Sequence, residues 1–194
     1  MIDKKISNEF QNNGVVLLKK IIDQKWIEEL RKGIEYNFQN PSKYKCVYEE
    51  VNNQEVFYDD YCNWQRIKEY KNFIFNSDIA KIAGSLMQSN KVNLFHEHVL
   101  IKEKGSKKRT PWHQDQGYYC VQGEDDVSIW IPLDKIDINS SMEFILGSHK
   151  WNKIFLPTKF KGYDYDHKDK EFEKIPDIEN NRDKYDIISF GLIS

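Results

Sequence analysis

The stretch Thr110-Pro-Trp-His-Gln-Asp-Gln-Gly-Tyr-Tyr119, "TPWHQDQGYY", sets a histidine and an aspartate one residue apart among aromatic side chains. On an extended strand, residues i and i+2 point to the same side, about 6.6 Å apart along the chain. His113 and Asp115 can therefore converge on one ion. An imidazole nitrogen and a carboxylate oxygen make up two of the three protein ligands in the 2-His-1-carboxylate triad. That triad grips Fe(II) on one face and leaves the remaining positions open. The same two residues also suit a plain hydrogen-bonded pair, so the spacing alone does not choose between the readings.

The surrounding chain narrows the choice. It has 194 residues, enough for one domain with a core. A net charge of -2 and a pI near 6.2 leave no broad basic face for nucleic acid. Apolar runs such as "GVVLL" and "DIISFGLI" are too short to span a bilayer. The opening "MIDKKISNEF" has no apolar signal region. Cys46, Cys62 and Cys120 are odd in number and form no CxxC, which suits reduced thiols in the cytoplasm better than a disulfide framework. No repeat or linker divides the sequence, and a single domain over residues 1–194 is expected.

Local patterns predict helices first and short strands second. A helix over "SNEFQNNG" is opened by Ser7 and stopped by Gly14, and "VVLL" follows as a strand. Asp23 caps a second helix whose stripe is Trp26, Ile27, Leu30, Ile34 and Phe38, with Pro41 beyond its end. Residues 42 to 62 show no period. Ser77 or Asp78 caps a further helix through "IAKIAGSLMQ". Strands are expected at "VNLFHEHVLIK", "VSIWIPL", "MEFIL" and "YDIISFGLI". In "VSIWIPL", Val127, Ile129, Ile131 and Leu133 share one face, and Ser128 and Trp130 the other. The pattern suits an α+β fold or a helix-flanked β-barrel or sandwich.

In order and at close spacing, "HVLIKEKGSKKRTPWHQDQGYY", "VSIWIPLDKI" and "MEFILGSHKW" resemble the phytanoyl-CoA dioxygenase family of Fe(II)/2-oxoglutarate oxygenases. The entry "EFQNNGVVLLKKIID" resembles that family's N-terminus. The resemblance implies a mostly β fold, a double-stranded β-helix (jelly-roll, cupin-like) core with flanking helices. It makes His113 and Asp115 the first two iron ligands. Trp130 and Lys102 would bind the cosubstrate, and Trp112, Tyr118, Tyr119 and His98 would line the substrate pocket. For Trp112, core packing competes equally with a pocket role. The cofactors implied are Fe(II), 2-oxoglutarate and molecular oxygen. The reaction implied couples decarboxylation of 2-oxoglutarate to succinate with hydroxylation of a small molecule. Related halogenases leave the carboxylate position small, so Asp115 favours hydroxylation.

The family's distal histidine, after a "GD" turn, and the arginine beyond it have no counterpart here. The chain ends "KYDIISFGLIS", which resembles the segment ahead of that turn. A fragment of a longer oxygenase, missing its last strands, is the expectation, with poor folding and little turnover for these 194 residues alone. His96 and His98 are expected on opposite faces of their strand, His149 in a structural turn, and His167 in a solvated loop. The basic run Lys102 to Arg109 either draws in an anionic substrate or is a solvated connection. "YDYDHKDKE" (163–171) either forms a lid or is an inert insertion. The competing functions are a catalytically silent relative that binds a ligand or partner chain, and a cupin-like isomerase or dioxygenase needing no 2-oxoglutarate.

Overall fold

The computed structural model describes residues 2–121, 123, 125–158 and 172–191. The chain divides into two compact units. One comprises Lys19–Gly84 and Asn90–Arg109; the other comprises Met1–Leu18, Ser85–Ser89 and Thr110–Ser194.

The first of these units is built on a three-stranded antiparallel sheet, β1 (Cys46–Val51), β2 (Gln54–Tyr61) and β3 (His98–Lys102), in sequence order. Asn52 and Asn53 both take positive φ, 52° and 62°, between the paired ends Val51 and Gln54. That is the two-residue hairpin turn whose twist matches the strands. β2 is the central strand, with Phe57 fully buried and Val56 and Tyr58 nearly so. On one side of β2 and β3, Tyr58, Asp60, Val99 and Ile101 gather with Ile34, Asn37 and Phe38 of a long helix. That helix follows Asp23 and runs Gln24–Gln39, and a shorter one runs Lys68–Asn76. In chain order the four helices are α1 (Lys4–Asn13), α2 (Gln24–Gln39), α3 (Lys68–Asn76) and α4 (Ile79–Met87). α2 and α3 meet at Gly33, where a Cβ would lie 2.5 Å from the Tyr70 ring. Trp26 meets Phe73 edge-on at 5.9 Å.

A buried carboxylate ties these pieces together. Asp60, 5% exposed, accepts from Asn37 Nδ2 at 2.8 Å, Ser42 N at 2.8 Å, Ser42 Oγ at 2.5 Å and the Tyr61 N–H at 2.9 Å. Tyr70 of α3 donates to Asn37 in turn, at 3.3 Å. Burial alone would raise the Asp60 pKa, but these bonds outweigh it and hold it below the ordinary carboxylate value.

The second unit holds α1, a two-stranded antiparallel sheet of β4 (Glu143–Ile145) and β5 (Ile187–Ser189), and long irregular runs. Asp3 caps α1, and Gly14 ends it at φ 77°, a left-handed position suited to glycine. Ser7 and Gln11 of α1 donate to the Ser85 and Leu86 carbonyls. The "GSHKW" turn packs on the helix end: Gly147 N–H reaches the Asn13 carbonyl at 2.8 Å, and His149 Nε2 lies 3.1 Å from the Gln11 carbonyl.

Several expectations are corrected. A hairpin, β1–β2, lies between α2 and α3, so strands do not simply follow helices. The described residues hold two small antiparallel sheets beside four α-helices, an α+β arrangement of the expected class. "VVLL" and "VSIWIPL" form no strand; without a neighbour to ladder with, apolar content does not make one. Asp3 rather than Ser7 caps α1, and Phe38 is 56% exposed. His167 and the 163–171 segment lie outside the described residues.

Replacing Asp60 with alanine strands several buried donors, and is expected to cost about 3 kcal/mol of stability in chemical denaturation. Because the folded pKa is depressed, the carboxylate stabilises fully above its unfolded value near 4 and less as pH falls through the folded value. The urea midpoint of the native protein should therefore fall below about pH 4, and that of D60A should fall less.

Candidate metal centre

His113 does not sit on a regular strand. Gln114 is extended (φ -116°, ψ 129°), and the chain then enters a 3-10 turn, Asp115–Tyr118. Extended backbone at the middle residue is enough to keep the flanking side chains on one side. His113 Nε2 and Asp115 Oδ1 lie 3.3 Å apart, with the side chains 33% and 44% exposed. Their outer atoms are engaged. His113 Nδ1 is 2.8 Å from the Pro111 carbonyl oxygen, and Ser128 Oγ donates to Asp115 Oδ2 at 2.5 Å. The Tyr118 ring stands edge-on to the imidazole at 5.7 Å.

The charges follow from these contacts. Burial disfavours the imidazolium, but the bond to Asp115, the Pro111 carbonyl and the carboxylate charge outweigh it, and the His113 pKa is raised. The His113 bond does most to hold Asp115 below its usual value, against burial and with help from Ser128. Burial pushes the Tyr119 hydroxyl up to about 12, and its oxygen lies 3.4 Å from Ser128 Oγ.

The donor set fits a divalent metal. Ligand bonds of about 2.1 Å at a right angle put neighbouring donors about 3 Å apart, near the distance seen here. A metal-bound imidazole usually donates its other N–H to a carbonyl or carboxylate, and Pro111 supplies that acceptor to Nδ1. Among the described residues, no group of three or more His, Cys, Asp or Glu side chains is placed to hold a metal. His113 and Asp115 therefore account for two positions.

The other sequence-selected residues are distributed as follows. Trp112 donates from Nε1 to Glu179 at 2.8 Å. Tyr118 is tied through its hydroxyl to Thr158, donating to the carbonyl at 2.6 Å and accepting from the N–H at 3.0 Å. Trp130 is 42% exposed. His98 and Lys102 belong to the unit that holds β3. His98 Nε2 meets the buried Asp59 carboxylate at 2.7 Å, and Tyr48 donates to the same oxygen at 2.8 Å. Lys102 Nζ lies 4.9 Å above the Phe57 ring, and burial lowers its pKa, aided by Arg109 and opposed by Glu49. His96 and His98 were expected on opposite faces, yet their rings lie 6.3 Å apart and both flank Tyr61. Residues two apart on an extended chain share a side, so the expectation of opposite faces ran against the alternation itself. The basic run is folded onto β1: Glu49 accepts from Ser106 Oγ at 2.6 Å and from the Lys107 and Lys108 N–H groups.

Sequence reasoning missed Ser128 as the partner of Asp115. The signal was present, since Ser128 is a polar residue in an otherwise apolar run and alternates onto the face of Trp130.

The chain belongs to the phytanoyl-CoA dioxygenase (PhyH) family, whose model matches residues 10–190. Two solved structures share its fold. One is SnoK, a non-heme alpha-ketoglutarate-dependent carbocyclase from nogalamycin biosynthesis, with TM-score 0.72 and 16% identity. The other is the epimerase SnoN, in complex with Fe3+, alpha-ketoglutarate and nogalamycin RO, with TM-score 0.67 and 17% identity. Each alignment covers 97% of this chain and 70% of the neighbour. No curated protein matches it in sequence. Members of the PhyH family use Fe(II), 2-oxoglutarate and oxygen.

In the metal-free protein, Asp115→Asn removes the charge that raises the His113 pKa while leaving the burial that lowers it. An NMR pH titration should find the His113 imidazole titrating at lower pH in D115N than in the parent protein. An unchanged midpoint would mean the carboxylate does not govern the imidazole.

Proposed function

We propose that the protein is an Fe(II)/2-oxoglutarate-dependent dioxygenase that hydroxylates a small molecule. The observation that carries this reading is the 3.3 Å convergence of His113 Nε2 and Asp115 Oδ1, each with its outer atom already engaged. Family membership and the iron and alpha-ketoglutarate bound by SnoN support it.

His113 would hold the metal through Nε2 while its Nδ1–H stays on the Pro111 carbonyl, fixing tautomer and ring plane. Asp115 would bind through Oδ1, with Oδ2 kept on Ser128. Iron held there, with 2-oxoglutarate and oxygen, would supply the oxidising power for hydroxylation, with succinate and CO2 as co-products. The Tyr118 ring backs the imidazole and limits water on that side. Trp130 and Lys102 are assigned to the cosubstrate, and Trp112, Tyr119 and His98, with Tyr118, to the substrate pocket. These assignments follow the family likeness. We take the chain as one oxygenase domain on a jelly-roll core, since the family match runs through both units.

A second reading, a silent relative that binds a ligand or partner without turnover, has one observation in its favour: no third side chain joins the pair among the described residues. Succinate release separates the two. In a chain as long as its structural neighbours, 2-oxoglutarate should be converted to succinate only with Fe(II), and His113→Ala or Asp115→Ala should reduce the rate at least about 100-fold. Tight Fe(II) binding without succinate, at any substrate tried, would favour the silent relative. Rates equal to the parent's in both variants would refute the metal assignment.

A further inference from the structure

We propose that Gln114, the residue between the two metal ligands, is the positioning residue of the centre. Its side-chain amide does the work of a neighbouring strand. The proposal rests on the reading of His113 and Asp115 as ligands. Gln114 is extended, so its side chain leaves the backbone opposite to theirs. Its Nε2 donates to the Lys153 carbonyl at 3.1 Å, and its Oε1 accepts from the Phe155 N–H at 3.0 Å. The two partners are an i, i+2 pair, so one amide closes a two-point clamp on a single segment.

That segment is itself fixed. Phe155 is 6% exposed and bridges to Glu173. Leu156 N–H reaches the Glu173 carbonyl at 2.8 Å, and Glu173 N–H reaches the Ile154 carbonyl at 2.9 Å. Two further contacts keep the ligand segment in register with it. Gly117 lies so close that a Cβ would be 2.5 Å from the Phe155 carbonyl oxygen, and Tyr118 bonds to both backbone groups of Thr158. Residues 114, 117 and 118 thus follow 153 to 158 without a regular ladder. Of the three contacts, the amide clamp is the one set directly between the ligands. A ligand pair held by a turn alone would be free to splay. The clamp fixes the backbone between the Cα atoms of His113 and Asp115, and so the separation of their donor atoms.

The test uses Co(II), whose visible spectrum reports ligand geometry. Gln114→Met keeps the side chain's shape and removes both bonds. Gln114→Asn keeps the amide but is too short to reach both partners. Gln116→Met is the control, since the Gln116 side-chain amide donates to the nearby Val121 carbonyl. Q114M should weaken Co(II) binding about 10- to 100-fold and alter the spectrum, a size typical of groups that support metal ligands. Q114N should fall between Q114M and the parent, and Q116M should match the parent. Hydrogen exchange at the Phe155 amide should rise in Q114M; if Q114M does not fold, Q114N alone decides the matter. Parent-like affinity and spectrum in the Gln114 variants would overturn this proposal and leave the metal assignment standing. Failure of the parent protein to bind Co(II) would overturn both.

Discussion

Two side chains can share one cation only where the backbone brings their donor atoms to one point. The separation of His113 and Asp115 depends on one extended residue followed by a tight turn. Everything beyond it serves to keep that short piece of chain in shape. Pro111 and Ser128 occupy the outer atoms, so the inner nitrogen and oxygen are left to turn toward one point. Without a metal the two are bonded to each other, which raises the basicity of the imidazole and lowers that of the carboxylate. A divalent cation would replace the shared proton, so metal affinity must weaken as the solution becomes more acidic.

The two units solve the same problem in different ways. In the unit built on β1–β3, irregular connections are held by carboxylates. Asp60 gathers the end of α2, the loop at Ser42 and strand β2, and Glu97 receives the Asn63 and Trp64 N–H groups. In the other unit, side-chain amides and hydroxyls stand in for ladder partners, as with Gln114 and Tyr118. Both devices satisfy backbone groups that a continuous sheet would otherwise satisfy. A substitution at these polar residues therefore carries a penalty like that of a core residue.

What the sequence disclosed follows from the range of the forces involved. Helix ends were legible because their signals act over two or three residues: Asp23 stands at the N-cap position of α2, although its side chain makes no capping bond, Ser77 accepts from the Ile79 N–H at the start of α4, and Gly14 takes the left-handed φ that ends α1. The family resemblance and the His113–Asp115 pair were legible because spacing and order survive in the letters. Strand β2 was not, since "FYDDY" carries two aspartates that composition assigns to a loop. They are buried because distant partners satisfy them, Asn37 and Ser42 for Asp60, and Tyr48 and His98 for Asp59. The Asn52–Asn53 turn was the clue to that hairpin. "VSIWIPL" misled in the other direction: its alternation is real, but pairing needs an edge beside it. The same alternation set Ser128 apart as a polar residue in an apolar run, but did not name Asp115 as its partner.

The account stands on His113 and Asp115 sharing one cation. Its most direct test is paramagnetic broadening in the protein with 15N-labelled histidine, titrated with substoichiometric Mn(II). The chain has five histidines, and the account predicts that the His113 ring resonances vanish first while those of His149 persist. Uniform loss across all five, or loss at another histidine with His113 still sharp, would contradict it.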